Sequence, residues 1–220
     1  RGTFESGPFR PSRCSDATIS AEVLKLSDGR FVPLQTEPNL TQRFLPGIAA
    51  SEDAILIAGG IDCAQDPPTG SSTADLLTPR GNEKIELGVR MVGPTVTALS
   101  DGRFLVWGHD LNGSAQSGLL VTTDEARSVI PLGISGDPKC TAGLSTQCWH
   151  STAYHTATQL KGNTSSSDRI VVFGGLRASD DSKLINNPSY GAEKAPNFFR
   201  LEVNGNSAQI YALGSPQENQ

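Results

Sequence analysis

The sequence predicts an all-β fold of repeated four-stranded antiparallel sheets, and three observations predict it. First, one phrase is written three times: a polar turn, then a short apolar strand, then glycine. The copies are Ser51-Glu-Asp-Ala-Ile-Leu-Ile-Ala-Gly-Gly60, Ser100-Asp-Gly-Arg-Phe-Leu-Val-Trp-Gly-His109 and Asp168-Arg-Ile-Val-Val-Phe-Gly-Gly175. Second, an apolar strand precedes each phrase and a further hairpin follows it, which makes four strands per unit. Third, the phrase glycines begin at 59, 108 and 174, steps of 49 and 66 residues. A period near fifty with several short strands per unit belongs to a propeller-type repeat, whose blades carry four strands each.

In chain order, Ala21-Glu-Val-Leu-Lys-Leu26, the turn Ser27-Asp-Gly29 and Arg30-Phe-Val-Pro-Leu34 read as the outer hairpin of a blade, within 14–36. Three blades follow at approximately 43–88, 92–133 and 151–214, with an interblade insertion at 134–150. Their inner strands are Pro46-Gly-Ile-Ala-Ala50, Thr95-Val-Thr-Ala-Leu99 and Ala153-Tyr-His-Thr-Ala-Thr-Gln-Leu160. In the second blade the joining turn Ser100-Asp-Gly102 is a tight-hairpin signal. In the third, the polar and serine-rich 161–167 is an exposed tip. The outer hairpins pair Ala74–Leu77 with Lys84–Leu87, Gly118–Thr122 with Ser128–Leu132, and Phe198–Val203 with Ala208–Leu213. The whole of 1–220 is one propeller segment of about three and a half blades. Closed propellers have typically four to eight, so the segment is an incomplete ring. It belongs to a larger propeller or associates to complete one.

Composition excludes some functions. The net charge of −5 argues against nucleic acid, whose phosphates demand a basic surface. No apolar run approaches the roughly 20 residues needed to span a bilayer. No signal peptide is visible in a sequence that begins at Arg1. Cys14, Cys63, Cys140 and Cys148 form no C-x-x-C pair, and the histidines lack zinc-ligand spacing. An even count outside metal motifs favours disulfides, and an extracellular, periplasmic or cell-surface location, over four reduced thiols in a cytosolic protein. Four cysteines allow three connectivities. The expected pairs are Cys140–Cys148, closing a short loop, and Cys14–Cys63, joining matching loops of adjacent blades.

The segments Tyr154-His-Thr-Ala-Thr158 with Arg169–Gly175, Thr97–Gly108 and Ala54–Gly60 resemble the repeats of the kelch and galactose oxidase-like propellers. The resemblance covers roughly residues 20–213. It implies that Tyr154-His155 stands where copper radical oxidases carry copper ligands. It also implies that Phe44-Leu-Pro-Gly-Ile48 matches the segment bearing those enzymes' cross-linked cysteine. That cysteine's place holds Leu45, and the place of the cross-linked tyrosine holds Gly93. The expectation is therefore a histidine hydrogen-bonded to a neighbouring blade, with no cofactor, no metal and no catalytic residue. His109, in place of the second glycine of its doublet, is read as structural. Asp180-Asp181 lacks the spaced oxygen ligands and glycine of a calcium loop and is read as a solvated turn. No G-x-S-x-G, P-loop or H-E-x-x-H is present.

In a blade, the loop joining strands 2 and 3 lies on the same face as the loop to the next blade. All four cysteines fall in such loops, and Arg43, Asp62, Arg90, Asp110, Trp149, His150 and Arg177 are the candidate binding residues there. Long loops on a rigid scaffold commonly carry function. The reading is a non-catalytic recognition or scaffold segment that binds a protein or glycan. The alternative is a galactose oxidase-like or sugar-isomerase-like enzyme whose site is completed by blades outside this sequence.

Overall fold

The computed structural model describes residues 22–33, 40–62, 64–65, 68–110, 118–136, 152–160, 167–177, 193–194 and 198–213. The described residues are strands and turns without a helix. β1 (Glu22–Lys25) and β2 (Arg30–Pro33) form an antiparallel hairpin across the Asp28-Gly29 turn, as the sequence predicts. Among the described residues they pair only with each other. The first blade is entered through β3 (Arg43–Phe44) and consists of β4 (Gly47–Ala50), β5 (Ile55–Ala58), β6 (Ile61–Asp62), β7 (Thr69–Thr78) and the first part of β8 (Gly81–Ala98). The second blade takes the rest of β8, then β9 (Phe104–Asp110), β10 (Gly118–Val121) and β11 (Val129–Pro131). β12 (Gly133–Ser135) follows. The third blade comprises β13 (Thr156–Leu160), β14 (Asp168–Phe173), β17 (Phe198–Asn204) and β18 (Ser207–Ala212), with the short pair β15 (Leu176–Arg177) and β16 (Glu193–Lys194) beyond β14.

Among the described residues, all pairings within the blades are antiparallel, and the sheets do not close into a ring. Two features depart from the sequence reading. The outer strand of the first blade and the inner strand of the second are one strand, β8, of 18 residues, with a register shift between Val92 and Thr95. Gly93-Pro94 therefore forms a bulge inside a strand rather than a break between two. The supposed insertion after 133 also begins with a strand. β12 runs parallel to β18 and adds an edge to the third sheet.

The core lies between the sheets. One cluster, with Leu56, Leu76, Met91, Phe104 and Val106, is sandwiched between the first two blades. A second, with Leu105, Trp107, Leu120, Val172, Phe199 and Leu201, lies between the last two. Strand alternation produces this arrangement, because successive side chains point to opposite faces. In β9, Phe104 and Val106 belong to the first cluster, while Leu105 and Trp107 belong to the second.

The pairing register makes the blades comparable residue by residue. Ala58, Trp107 and Phe173 are equivalent, because they pair with the inner-strand residues Gly47, Thr95 and Thr156. Their partners on the next strand, Ala74, Gly118 and Phe198, are equivalent in turn. This frame corrects the reading of His109. The first blade has two residues between Ala58 and Ile61, whereas the second has one between Trp107 and His109. His109 pairs with Val92 as Ile61 pairs with Phe44. A residue is missing from the doublet, and His109 takes the place after it.

Candidate functional site

The inner strands of the three blades begin alike. Leu45, Gly93 and Tyr154 all adopt left-handed backbone, with φ of 51°, 53° and 57°. Each follows a residue held by pairing with the end of the next strand: Phe44 with Ile61, Val92 with His109, Ala153 with Leu176. Left-handed backbone is costly for residues with a Cβ. Here each site is fixed on one side by that pairing and on the other by the strand it opens. Ile61, Val92 and Ala153 are buried together, with Phe44, Tyr154 and Leu176 packed against them.

Tyr154 ties the third blade to the second. Its N–H donates to the Gly93 carbonyl at 2.7 Å. Its ring lies over Gly93 so closely that a Cβ there would come within 2.3 Å of the ring. Gly93 thus serves two demands at once, positive φ and the absence of a side chain. Burial pushes the Tyr154 phenol above its ordinary pKa, so it is neutral over the physiological range.

His155 stands where the other blades have Pro46 and Pro94. Its side chain is buried at 5% exposure. Nε2 and the Thr95 hydroxyl, on the inner strand of the second blade, are 2.9 Å apart. Nδ1 has no full hydrogen bond. Desolvation pulls the imidazole pKa down from 6.5 to about 4, against a weaker opposing interaction with the Thr152 backbone. His155 is a neutral interblade strut, bonded to a neighbouring blade as the sequence reading expects.

These residues do not fit a copper radical centre. Leu45 offers no thiol to cross-link. At Gly93 the missing tyrosine's space is filled by the ring of Tyr154, and His155 Nε2 is engaged with the Thr95 hydroxyl. Among the described residues, no group of three or more His, Cys, Asp or Glu side chains is placed to hold a metal ion.

The charged candidates occupy strand ends rather than loops. Asp62 ends β6, Asp110 ends β9 and Arg177 ends β15. Each directly follows an equivalent residue, Ile61, His109 or Leu176, so the three hold one register position in three blades. The Asp62 carboxylate accepts the N–H of Ala64 at 2.9 Å. Arg90 is exposed on β8. Trp149, His150, Asp180, Asp181 and all four cysteines lie outside the described residues.

Arg43 has a different task from the ligand contact expected of it. Its side chain is 2% exposed and forms a 2.8 Å ion pair with Asp75, itself 1% exposed. It also donates to the carbonyls of Thr73 and Gly59, at 2.6 and 3.1 Å. Thr41 completes the carboxylate's shell through its N–H at 3.0 Å and its hydroxyl at 3.1 Å. Burial lowers the guanidinium pKa, and the pull of Asp75 opposes that shift. The sequence reading missed Asp75. The signal was a lone carboxylate inside the apolar strand Ala74–Leu77, at the position that Leu119 and Phe199 hold in the other blades.

No family model matches the chain, and no curated protein matches it. Among solved structures it is similar to YjhT, a kelch-type β-propeller, with a TM-score of 0.60 and 13% identity over 90% of this chain. A second match is to a fungal alcohol oxidase of the AA5 family in complex with copper, with a TM-score of 0.40 and 12% identity over 91% of this chain. The chain spans 59% and 48% of these two neighbours' lengths. The first likeness shows the fold, and the second carries no argument. The described residues thus form β-propeller-type blades.

Proposed function

We propose that this chain is the recognition segment of a propeller, binding a protein or glycan at the end of the inner hairpins. The observation that supports this reading is a division of labour at that end. Tyr154 and His155, the side chains with catalytic potential, are consumed by packing between blades. The charged residues Asp62, Asp110 and Arg177 recur at one register position, with Arg90 exposed nearby. The sequence pattern alone adds Trp149 and His150 to the candidate binding residues, and the proposed setting is extracellular, periplasmic or cell-surface. The enzymatic alternative needs residues supplied by further blades.

The test is a glycan array, together with affinity capture from the protein's own source, comparing the parent chain with Asp62→Ala, Arg90→Ala and His155→Asn. Binding should weaken about tenfold with either surface substitution, as expected for loss of one charged contact worth roughly 1.4 kcal/mol. His155→Asn should leave it intact. Peroxide release from a primary alcohol by the copper-loaded chain, abolished in His155→Ala, would overturn the reading.

A further inference from the structure

We propose that the bulge of β7 in the first blade is a guanidinium-binding socket, which Arg43 fills as a ligand tethered by the segment 40–44.

The socket starts from an unusual run in a buried strand. β7 carries Ser71, Ser72 and Thr73 in a row, followed by Asp75. Its register against β8 slips between Ser71 and Thr73. A bulge of this kind interrupts the ladder and leaves backbone groups to find other partners. The hydroxyls order the bulge from within. The Thr73 N–H donates to the Ser71 hydroxyl at 3.3 Å, and the two hydroxyls lie 3.2 Å apart. Ser71 is 2% exposed and Asp75 1%. Two carbonyls, two hydroxyls and one carboxylate thus converge on a single buried place, where an unmet acceptor is costly.

A guanidinium meets all of them. Nη1 of Arg43 donates to the Thr73 carbonyl at 2.6 Å, the Gly59 carbonyl at 3.1 Å and the Ser71 hydroxyl at 3.4 Å. Nη2 donates to the Asp75 carboxylate at 2.8 Å and the Thr73 hydroxyl at 3.1 Å. Gly59 follows β5, and the other acceptors lie on β7. Only Nε turns back to its own segment, donating to the Thr41 carbonyl at 3.4 Å. The acceptors therefore belong to the sheet and not to the arginine's own segment. Their spread fits a planar fork. An ammonium presents its three donors from one atom and cannot reproduce that fork.

The tether holds by other bonds. β3 pairs with β6, and Thr41 reaches the Asp75 carboxylate through its N–H and hydroxyl. A short tether supplies its ligand at an effective concentration of about millimolar or above, so a weak intrinsic affinity suffices to keep the socket filled. The socket is particular to the first blade, because Leu119 and Phe199 hold the place of Asp75 in the other two.

Chemical rescue tests the assignment. Arg43→Ala empties the socket while the β3–β6 pairing and Thr41 keep the segment in place. Its thermal midpoint should fall below that of the parent chain and rise with added methylguanidinium. At ten times the dissociation constant, the folding equilibrium constant should increase about elevenfold. Methylammonium at the same ionic strength should give no rise. The parent chain, its socket filled, should not gain stability, nor should Arg43→Ala combined with Asp75→Asn. If Arg43→Ala is unfolded, methylguanidinium should restore its β-sheet circular dichroism. Arg43→Lys keeps the charge but not the fork, and should melt closer to Arg43→Ala than to the parent. Four results would overturn the proposal: no response of Arg43→Ala to methylguanidinium, an equal response to methylammonium, a response that survives Asp75→Asn, or an Arg43→Lys chain as stable as the parent. The second and the last would mean that the site answers to charge alone.

Discussion

The seam between the first and second blades and the seam between the second and third occupy the same repeat positions, yet they are held by different means. The first is crossed by a single strand, β8, whose bulge at Val92–Thr95 carries the chain from one sheet to the next. Its facing positions include the small pair Ala58 and Ala74. At the second seam the chain leaves the second blade through β12, an edge strand of the third. The matching pair there is Trp107 with Gly118, and Trp107 meets Phe199 across the seam at 6.3 Å. Polar links add to it: His155 to Thr95, and Arg103 to the Gly205 carbonyl and the Asn206 side chain. Chain continuity fixes the first seam at small cost in side-chain volume. The second relies on packing, and so should be the easier to open.

The largest expected effect follows from this. Trp107→Ala removes a side chain that is 1% exposed and should cost about 3–5 kcal/mol in urea-denaturation stability. More tellingly, hydrogen exchange should quicken in β13, β14 and β17 while β4, β5 and β7 stay protected. Equal loss of protection in both groups would show that the seams open as one and that the contrast is without consequence.

A second test probes the outer margin of the first blade, where Arg43 and Asp75 hold a buried ion pair in place of the apolar contact of the other blades. Asp75→Ala leaves the guanidinium buried without its carboxylate and should cost about 3 kcal/mol or somewhat more. Arg43→Met with Asp75→Leu removes both charges and restores the apolar pattern seen at Leu119 and Phe199. That double variant should lie within about 1–2 kcal/mol of the parent, since apolar replacements of buried pairs are often neutral. A double variant as unstable as the single would mean that Thr41 and Arg43 are needed for their backbone contacts rather than for the charge.

Much of the fold was legible because strands of this kind declare themselves locally. The alternation in Phe104–Trp107 and the turn Ser100-Asp-Gly102 need no distant partner to be recognised. Gly102 has φ of 84°, and the Asp101 side chain accepts the Arg103 N–H at 3.1 Å. Continuity of β8 was not legible, because Gly88, Gly93 and Pro94 read as breakers. In the sheet, Gly88 and Gly93 take positive φ, 76° and 53°, at register shifts within one paired strand. The missing residue at His109 was hidden for a related reason. A one-residue deletion changes register without changing the apolar pattern on either side. At the candidate site, Tyr154-His155 was conspicuous and its bond to another blade foreseeable. The partner Thr95 was not, since it lies 60 residues away and nothing in its strand marks it. Arg43 drew notice as a surface cation because sequence shows charge but not burial, and burial depended on Asp75, 32 residues further on.

The smallest effect concerns the polar part of the second seam and is read best as pH dependence. His155 is held neutral in the folded chain, with its pKa lowered to about 4 from 6.5. The unfolded chain therefore binds the proton first as pH falls. The contribution of neutral His155 is whole above about 6.5, is lost through the window down to about 4, and is gone below it. Within that window the slope approaches about 1.4 kcal/mol per pH unit, diluted by other titrating groups. His155→Asn should cost about 1–3 kcal/mol at neutral pH through the lost bond to Thr95, and should flatten the stability profile between pH 6.5 and 4. Thr95→Val removes the same bond but keeps the buried imidazole, so it should lower stability while preserving the slope. If both variants flatten the profile alike, the acid sensitivity arises elsewhere, and the second seam owes its strength to Trp107 and Phe199 rather than to its histidine.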